Sequence, residues 1–201
     1  YVFDAVFTRD YDNLTHNDLM WSVHFDEGSG MSSKDASKTA VNATQDTGTI
    51  TWGTNDGGYW GNNSNVTFST GSYLDFDGGQ RWKTAEFFNW SHDPSKPGVT
   101  IEAWVRLDSM QSGYRDFVDW AGCFGFTKAH NNTFTFFLET NETPCSHIFG
   151  SVAVTGEWLF FVGTYNGTMA EFWIGKDNRT LTKVGQKSYA GAIKTGTTQW
   201  L

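Results

Sequence analysis

Asn-x-Ser/Thr triplets begin at Asn13, Asn42, Asn62, Asn65, Asn89, Asn131, Asn141, Asn166 and Asn178, which is 9 of the 13 asparagines. Ser and Thr make up 40 of the 201 residues, so chance predicts about 2 or 3 such triplets. The chemistry this pattern invites is transfer of a sugar to the Asn side-chain nitrogen in a secretory compartment. Attached sugar is bulky and must face solvent, so these asparagines mark loops and exposed strand faces. The competing explanation is a set of polar loops that match the triplet by chance.

Cys123 and Cys145 are the two cysteines of the chain. An even pair in a secreted protein reads as a disulfide. A bridge closing a loop of this size adds roughly 3 kcal/mol through the unfolded state. Two buried thiols are the alternative. No metal pattern accompanies them: there is no Cys-x-x-Cys, and His130 and His147 do not complete a ligand set. Gly-x-Ser-x-Gly, zinc and phosphate-loop motifs are absent as well.

Two other groups could bind something. "FDEGSG" places Asp26 and Glu27 at a strand end before a flexible turn, where carboxylates and carbonyls suit a hard cation. Trp52, Tyr59, Trp60, Trp82, Phe87, Phe88 and Trp90 lie in or beside loops. Such rings cover the open edges of a core, anchor a subunit interface, or stack on sugars. Trp52, Trp60, Trp82 and Trp90 are the candidates for binding or interface.

These side chains must be held by strands. Charged residues are 18% and aromatics 17%, with 10 Trp and 17 Phe, so the chain is globular rather than disordered. Its length suits one domain with a normal core. Net charge is −8, which opposes a nucleic-acid partner, because phosphates need a basic face. No apolar run approaches a membrane span, and no basic-then-apolar signal segment opens the chain.

Period-two alternation is the dominant pattern. "TIEAWVRL" sets Ile101, Ala103, Val105 and Leu107 on one face and Glu102, Trp104 and Arg106 on the other. "EWLFFVGTYNGTMAEFWIG" predicts a hairpin turning at Asn166-Gly167. "CFGFTKAHNNTFTFFLE" predicts a second, turning near His130–Asn132, with the cysteines flanking it. Further strands are expected at 21–25, 47–52, 65–69, 73–76, 117–120 and 147–154. Residues 53–64 and 78–98 read as long aromatic loops. Helical periodicity is weak, so the fold class is all-β, a sandwich or jelly roll.

Five segments in order resemble one family. "WSVHFDEGSG", "GTITWG", "YLDFDGG", "TIEAWVRLDS" and "GEWLFFVGTYNGT…FWIG" look like the laminin-G-like branch of the concanavalin A-like lectins and glucanases. The resemblance covers 21–201 and implies a two-sheet antiparallel jelly-roll sandwich. Residues 1–20 then form an N-terminal extension, in which "YVFDAVF" is a possible donor or edge strand. Family members carry one more strand after a segment like "QWL", so the resemblance implies a jelly roll lacking its last strand.

The resemblance also implies a structural calcium, for which Asp26, Asp35 and Asp77 are the candidates. The alternative is that Asp26 and Asp77 bond turn amides. Relatives that are retaining glycosidases pair two glutamates about 5 Å apart across an intervening Asp. No Glu-x-Asp-x-Glu or Glu-x-Asp-x-x-Glu occurs, Glu102 stands alone, and sugar would crowd Glu139 and Glu142. The expected function is a non-catalytic, heavily N-glycosylated extracellular subunit of a surface fibre, sheath or layer. Its expected partners are copies of itself or other surface proteins. The alternatives are a carbohydrate-binding or adhesin module, with glycans as partners, and a glycoside hydrolase fragment.

Overall fold

The computed structural model describes residues 2–4, 23, 28–34, 40, 42–49, 51–54, 72–76, 81–84, 98–120, 124–176, 180–194 and 199–200. Every regular element among them is a strand. Seven strands form one sheet in the order β14-β13-β12-β7-β1-β5-β4. They are β1 (Val2–Asp4), β4 (Thr51–Thr54), β5 (Ser72–Asp75), β7 (Val99–Arg106), β12 (Trp158–Tyr165), β13 (Met169–Gly175) and β14 (Thr182–Ser188). Eight form the other, in the order β11-β10-β9-β8-β15-β6-β3-β2. They are β2 (Ser32–Ser33), β3 (Ala43–Thr47), β6 (Arg81–Thr84), β8 (Arg115–Trp120), β9 (Phe124–Lys128), β10 (Thr133–Leu138), β11 (Ser146–Val152) and β15 (Gln199–Trp200). All recorded pairings are antiparallel.

The sheets face each other across a core of rings. Phe126, Phe134 and Phe136 of the eight-stranded sheet meet Phe161 and Phe172 of the other. Phe161 is fully buried, with ring centroids of Phe134, Phe172 and Phe126 at 5.0, 5.4 and 5.5 Å. Edge-to-face approaches of this kind add to area burial because the ring quadrupoles are complementary. Gly163 of β12 lies under Phe136, whose ring atoms stand 2.7 Å from where a Cβ would be. A larger residue there would push the sheets apart.

The β12–β13 hairpin turns at Asn166-Gly167 as expected, with Gly167 at φ 98°. The β9–β10 hairpin turns over 129–132, with Asn132 left-handed at φ 56°. β7 also forms as expected, and Ala103, Val105 and Leu107 enter the core. Its other face is buried too. Trp104 joins Trp158, Phe160 and Val162 in a second apolar cluster on the far side of the seven-stranded sheet. Arg106 lies over the Trp158 ring and Lys183 over Trp173, so long basic side chains cover that cluster.

Several expectations are corrected. Residues 47–52 are not one strand: β3 ends at Thr47 in one sheet and β4 begins at Thr51 in the other. Gly48 lies between them at φ 71°, a conformation that breaks extended structure at no steric cost to glycine. The expected loop at 78–98 contains β6. Strand β1 is not an edge strand of its sheet. It lies between β7 and β5 of its own sheet, with Phe3 opposite Val105 and Leu74. Strand β15 is likewise flanked on both sides, by β8 and β6. Within 21–25 only Val23 is described, and it is buried. The expected strand at 65–69 lies outside the described residues.

Candidate functional site

Four of the nine sequon asparagines fall among the described residues, and all four are exposed: Asn42, Asn131, Asn141 and Asn166. Three have a visible structural reason for being Asn. Asn166 Oδ1 accepts from Met169 N at 2.8 Å, Thr168 N at 3.0 Å and Thr168 Oγ1 at 3.1 Å, which folds the hairpin turn. Asn141 Oδ1 accepts from Ala192 N at 2.8 Å and helps tie the segment after β14 to the end of β10. Asn131 Oδ1 accepts from Thr133 Oγ1 at 2.6 Å. In each case the oxygen does the structural work. Sugar is attached at Nδ2, so the same residue can shape a turn and carry sugar without conflict. Asn13, Asn62, Asn65, Asn89 and Asn178 lie outside the described residues.

These positions sit at both ends of the sandwich. Asn131 is in the β9–β10 turn, beside the Leu107–Gly156 and Asn132–Ala153 backbone bonds. Asn166 and Asn141 are at the opposite end, where Tyr165 Oη donates to the Gly191 carbonyl. The long sides of the sandwich run between these ends. One side is partly closed: Tyr189 Oη donates to Ser146 O at 2.9 Å, and Lys187 Nζ bonds Ser146 Oγ, drawing the end of β14 onto β11.

Between the ends, the outer face of the eight-stranded sheet carries a ridge of rings that the sequence reading did not foresee. His130 and Tyr114 meet at 4.4 Å, Tyr114 and His147 at 5.2 Å, and His147 and Phe149 at 6.1 Å. Phe137 lies beside His147 at 6.0 Å and is itself buried. Tyr114 is 42% and Phe149 52% exposed, so the ridge opens to solvent. The alternation of the predicted 147–154 strand could have put His147 and Phe149 on one face. Nothing local could have brought Tyr114, from the loop before β8, on top of them.

His147 Nδ1 lies 3.2 Å from Thr135 Oγ1, a buried hydroxyl that also reaches Thr127 O at 3.3 Å. Burial pushes the imidazole pKa below its ordinary value, Asp116 pulls it back up, and Lys187 lowers it further. Nearby, Lys128 is fully buried, with its ammonium on the Gln111 carbonyl and on Asn132 Oδ1 at 3.2 Å. Burial lowers its pKa, and Arg115 lowers it further.

Of the remaining candidates, Trp52 and Trp82 fall among the described residues. Trp82 is not a surface ring. It lies fully buried on β6, edge-on to Trp52 at 5.8 Å. Trp52 packs half-buried against the core and donates from Nε1 to Gly30 O at 2.9 Å. Trp82 sits on strand β6 rather than in the expected loop, and Trp52 on strand β4, and period-two placement turns both inward. Trp60 and Trp90 lie outside the described residues, as do the proposed calcium ligands Asp26, Asp35 and Asp77. Among the described residues no group of three or more His, Cys, Asp or Glu side chains is close enough to hold a metal.

Cys145 is a free, exposed thiol in this structure, and Cys123 lies outside the described residues. Desolvation raises the Cys145 pKa, and Glu139, Asp119 and Asp116 raise it further, with Lys194 opposing. No helix among the described residues is long and apolar enough to cross a membrane. The chain matches no family model, no curated protein and no solved structure.

Proposed function

We propose that the protein is a non-catalytic, N-glycosylated extracellular subunit of a surface fibre, sheath or layer. The observation that carries this reading is the dual use of the sequon asparagines. All four described ones are exposed, and in three the side chain bonds its neighbours through the carboxamide oxygen, an arrangement compatible with sugar on the nitrogen. Sugar at both ends of a sandwich directs contacts between copies, or with other surface proteins, to its long sides.

On this reading the two sheets are a laminin-G-like jelly roll of the concanavalin A type. Structural calcium would bind through Asp26, Asp35 and Asp77, and calorimetry with calcium after chelation tests that assignment. The main test is secretion from a eukaryotic host, with intact mass before and after enzymatic removal of N-linked sugar and site mapping of the converted asparagines. Sugar at Asn131, Asn141 and Asn166 is expected. Unmodified asparagine at every mapped sequon would overturn the reading.

A further inference from the structure

The ring ridge begins one residue before a sequon. His130 is its first member, and Asn131, in the same tight turn, is the next residue. Consecutive Cα atoms stand about 3.8 Å apart, so a sugar leaving Asn131 starts beside the ridge. Asn131 Oδ1 is bonded to Thr133 Oγ1, which constrains the side-chain amide from which that sugar would leave.

The ridge has the surface chemistry of a sugar cradle. A pyranose with equatorial substituents presents C–H faces, which lie well on the electron-rich faces of aromatic rings. Its rim presents hydroxyl donors. His147 Nδ1 is engaged by Thr135 Oγ1 at 3.2 Å, so Nε2 is the ring nitrogen left to meet a sugar hydroxyl, which both donates and accepts. The centroids step by 4.4, 5.2 and 6.1 Å from the turn to Phe149; His130 meets Tyr114 edge-on at 80°, while Tyr114, His147 and Phe149 turn by only 34° and 27° from one ring to the next. Left bare, Tyr114 and Phe149 would be large rings open to solvent on the outer face of the sheet.

We propose that the sugar on Asn131 lies along the ridge His130–Tyr114–His147–Phe149 of its own chain and covers it. This rests on the reading that Asn131 is glycosylated, and goes beyond it by assigning the ridge an occupant. Asn166 is an internal control, because the ring pair beside its hairpin turn, Tyr165 and Tyr189 at 6.2 Å, is buried and offers a sugar no open face.

The test uses the full chain secreted from a host that installs a uniform oligomannose sugar. An endoglycosidase that cuts between the first two sugars is applied to native protein, and release is followed site by site by peptide mass. Release at Asn131, normalised to the denatured protein, should be slower than at Asn166 by about 2- to 10-fold, the span of one ring contact. Phe149→Ala and Tyr114→Ala, both at exposed rings, should restore fast release at Asn131 alone. Circular dichroism establishes that each variant is folded, and upfield sugar-proton shifts in NMR should vanish with Tyr114→Ala. Sugar at Asn166 with none at Asn131 would overturn the proposal and leave the glycoprotein reading standing. So would an occupied Asn131 released as fast as Asn166 and indifferent to both substitutions. No sugar at any site would overturn both.

Discussion

Replacing Phe3 with proline tests whether β1 completes its own sheet. Phe3 stands opposite Val105 on one side and Leu74 on the other, in the middle of a three-residue strand. Three register positions join β1 to β7 and two join it to β5. At about 0.5–1.5 kcal/mol net per hydrogen bond, a ladder of this size contributes about 2–7 kcal/mol. Proline removes the Phe3 donor and its ring does not fit between two neighbours, which confines proline to sheet edges. Phe3→Pro should therefore cost about 3 kcal/mol or more, read as a lower urea midpoint with a largely unchanged slope. The midpoint of the parent protein should not depend on protein concentration, because the strand is supplied by the same chain. A loss under about 1 kcal/mol, or a midpoint that rises with concentration, would refute the placement of β1.

Other expectations follow from the core and the ionisable groups. Phe161→Ala removes the ring that meets Phe117, Phe126, Phe134 and Phe172; it should cost about 3–5 kcal/mol in chemical denaturation, and a near-neutral result would deny that this ring joins the sheets. Lys128 has a folded-state pKa below the ordinary lysine value of 10.5. Between those values the unfolded chain binds more protons, so stability rises with pH through that window. Lys128→Met should flatten that rise, and an unchanged pH profile would count against a desolvated ammonium. His147 should titrate below 6.5 by NMR; its folded pKa is depressed, so its contribution is full above 6.5 and declines as pH falls through the window, and a midpoint above 6.5 would contradict its burial. Cys145 should react with a disulfide reagent near pH 7 more slowly than a free model thiol, since the raised pKa keeps it protonated; faster reaction would contradict the desolvated thiol.

Strands with strong alternation or a strong turn were legible in the sequence. β7, both expected hairpins and β11 follow from side-chain period and from residues that accept positive φ. Strands without that signature were not. β6 is "RWKT" inside an apparent aromatic loop, and β14 is "TKVGQKS", with little apolar content. They exist because their neighbours supply unpaired backbone groups, information that lies elsewhere in the chain. The break at Gly48 was hidden for the same reason: local residues can continue a strand but cannot say that the chain must change sheets.

The chemistry divides the same way. That asparagines occupy sugar-accepting triplets is a property of the sequence, and it needs no fold to be read. That Asn131, Asn141 and Asn166 accept hydrogen bonds through their oxygens depends on donors that the fold brings to them, for Asn141 from as far along the chain as Ala192. Trp82 could not be told from a surface ring, because an aromatic side chain suits either place and only the packing of β6 under the opposite sheet buries it. The ridge of His130, Tyr114, His147 and Phe149 is further still from the sequence, since its rings come from a loop, a turn and a strand. Side-chain period is set by covalent geometry and so appears in the sequence. Which rings meet is set by sheet order and register, which are decided by the whole chain at once.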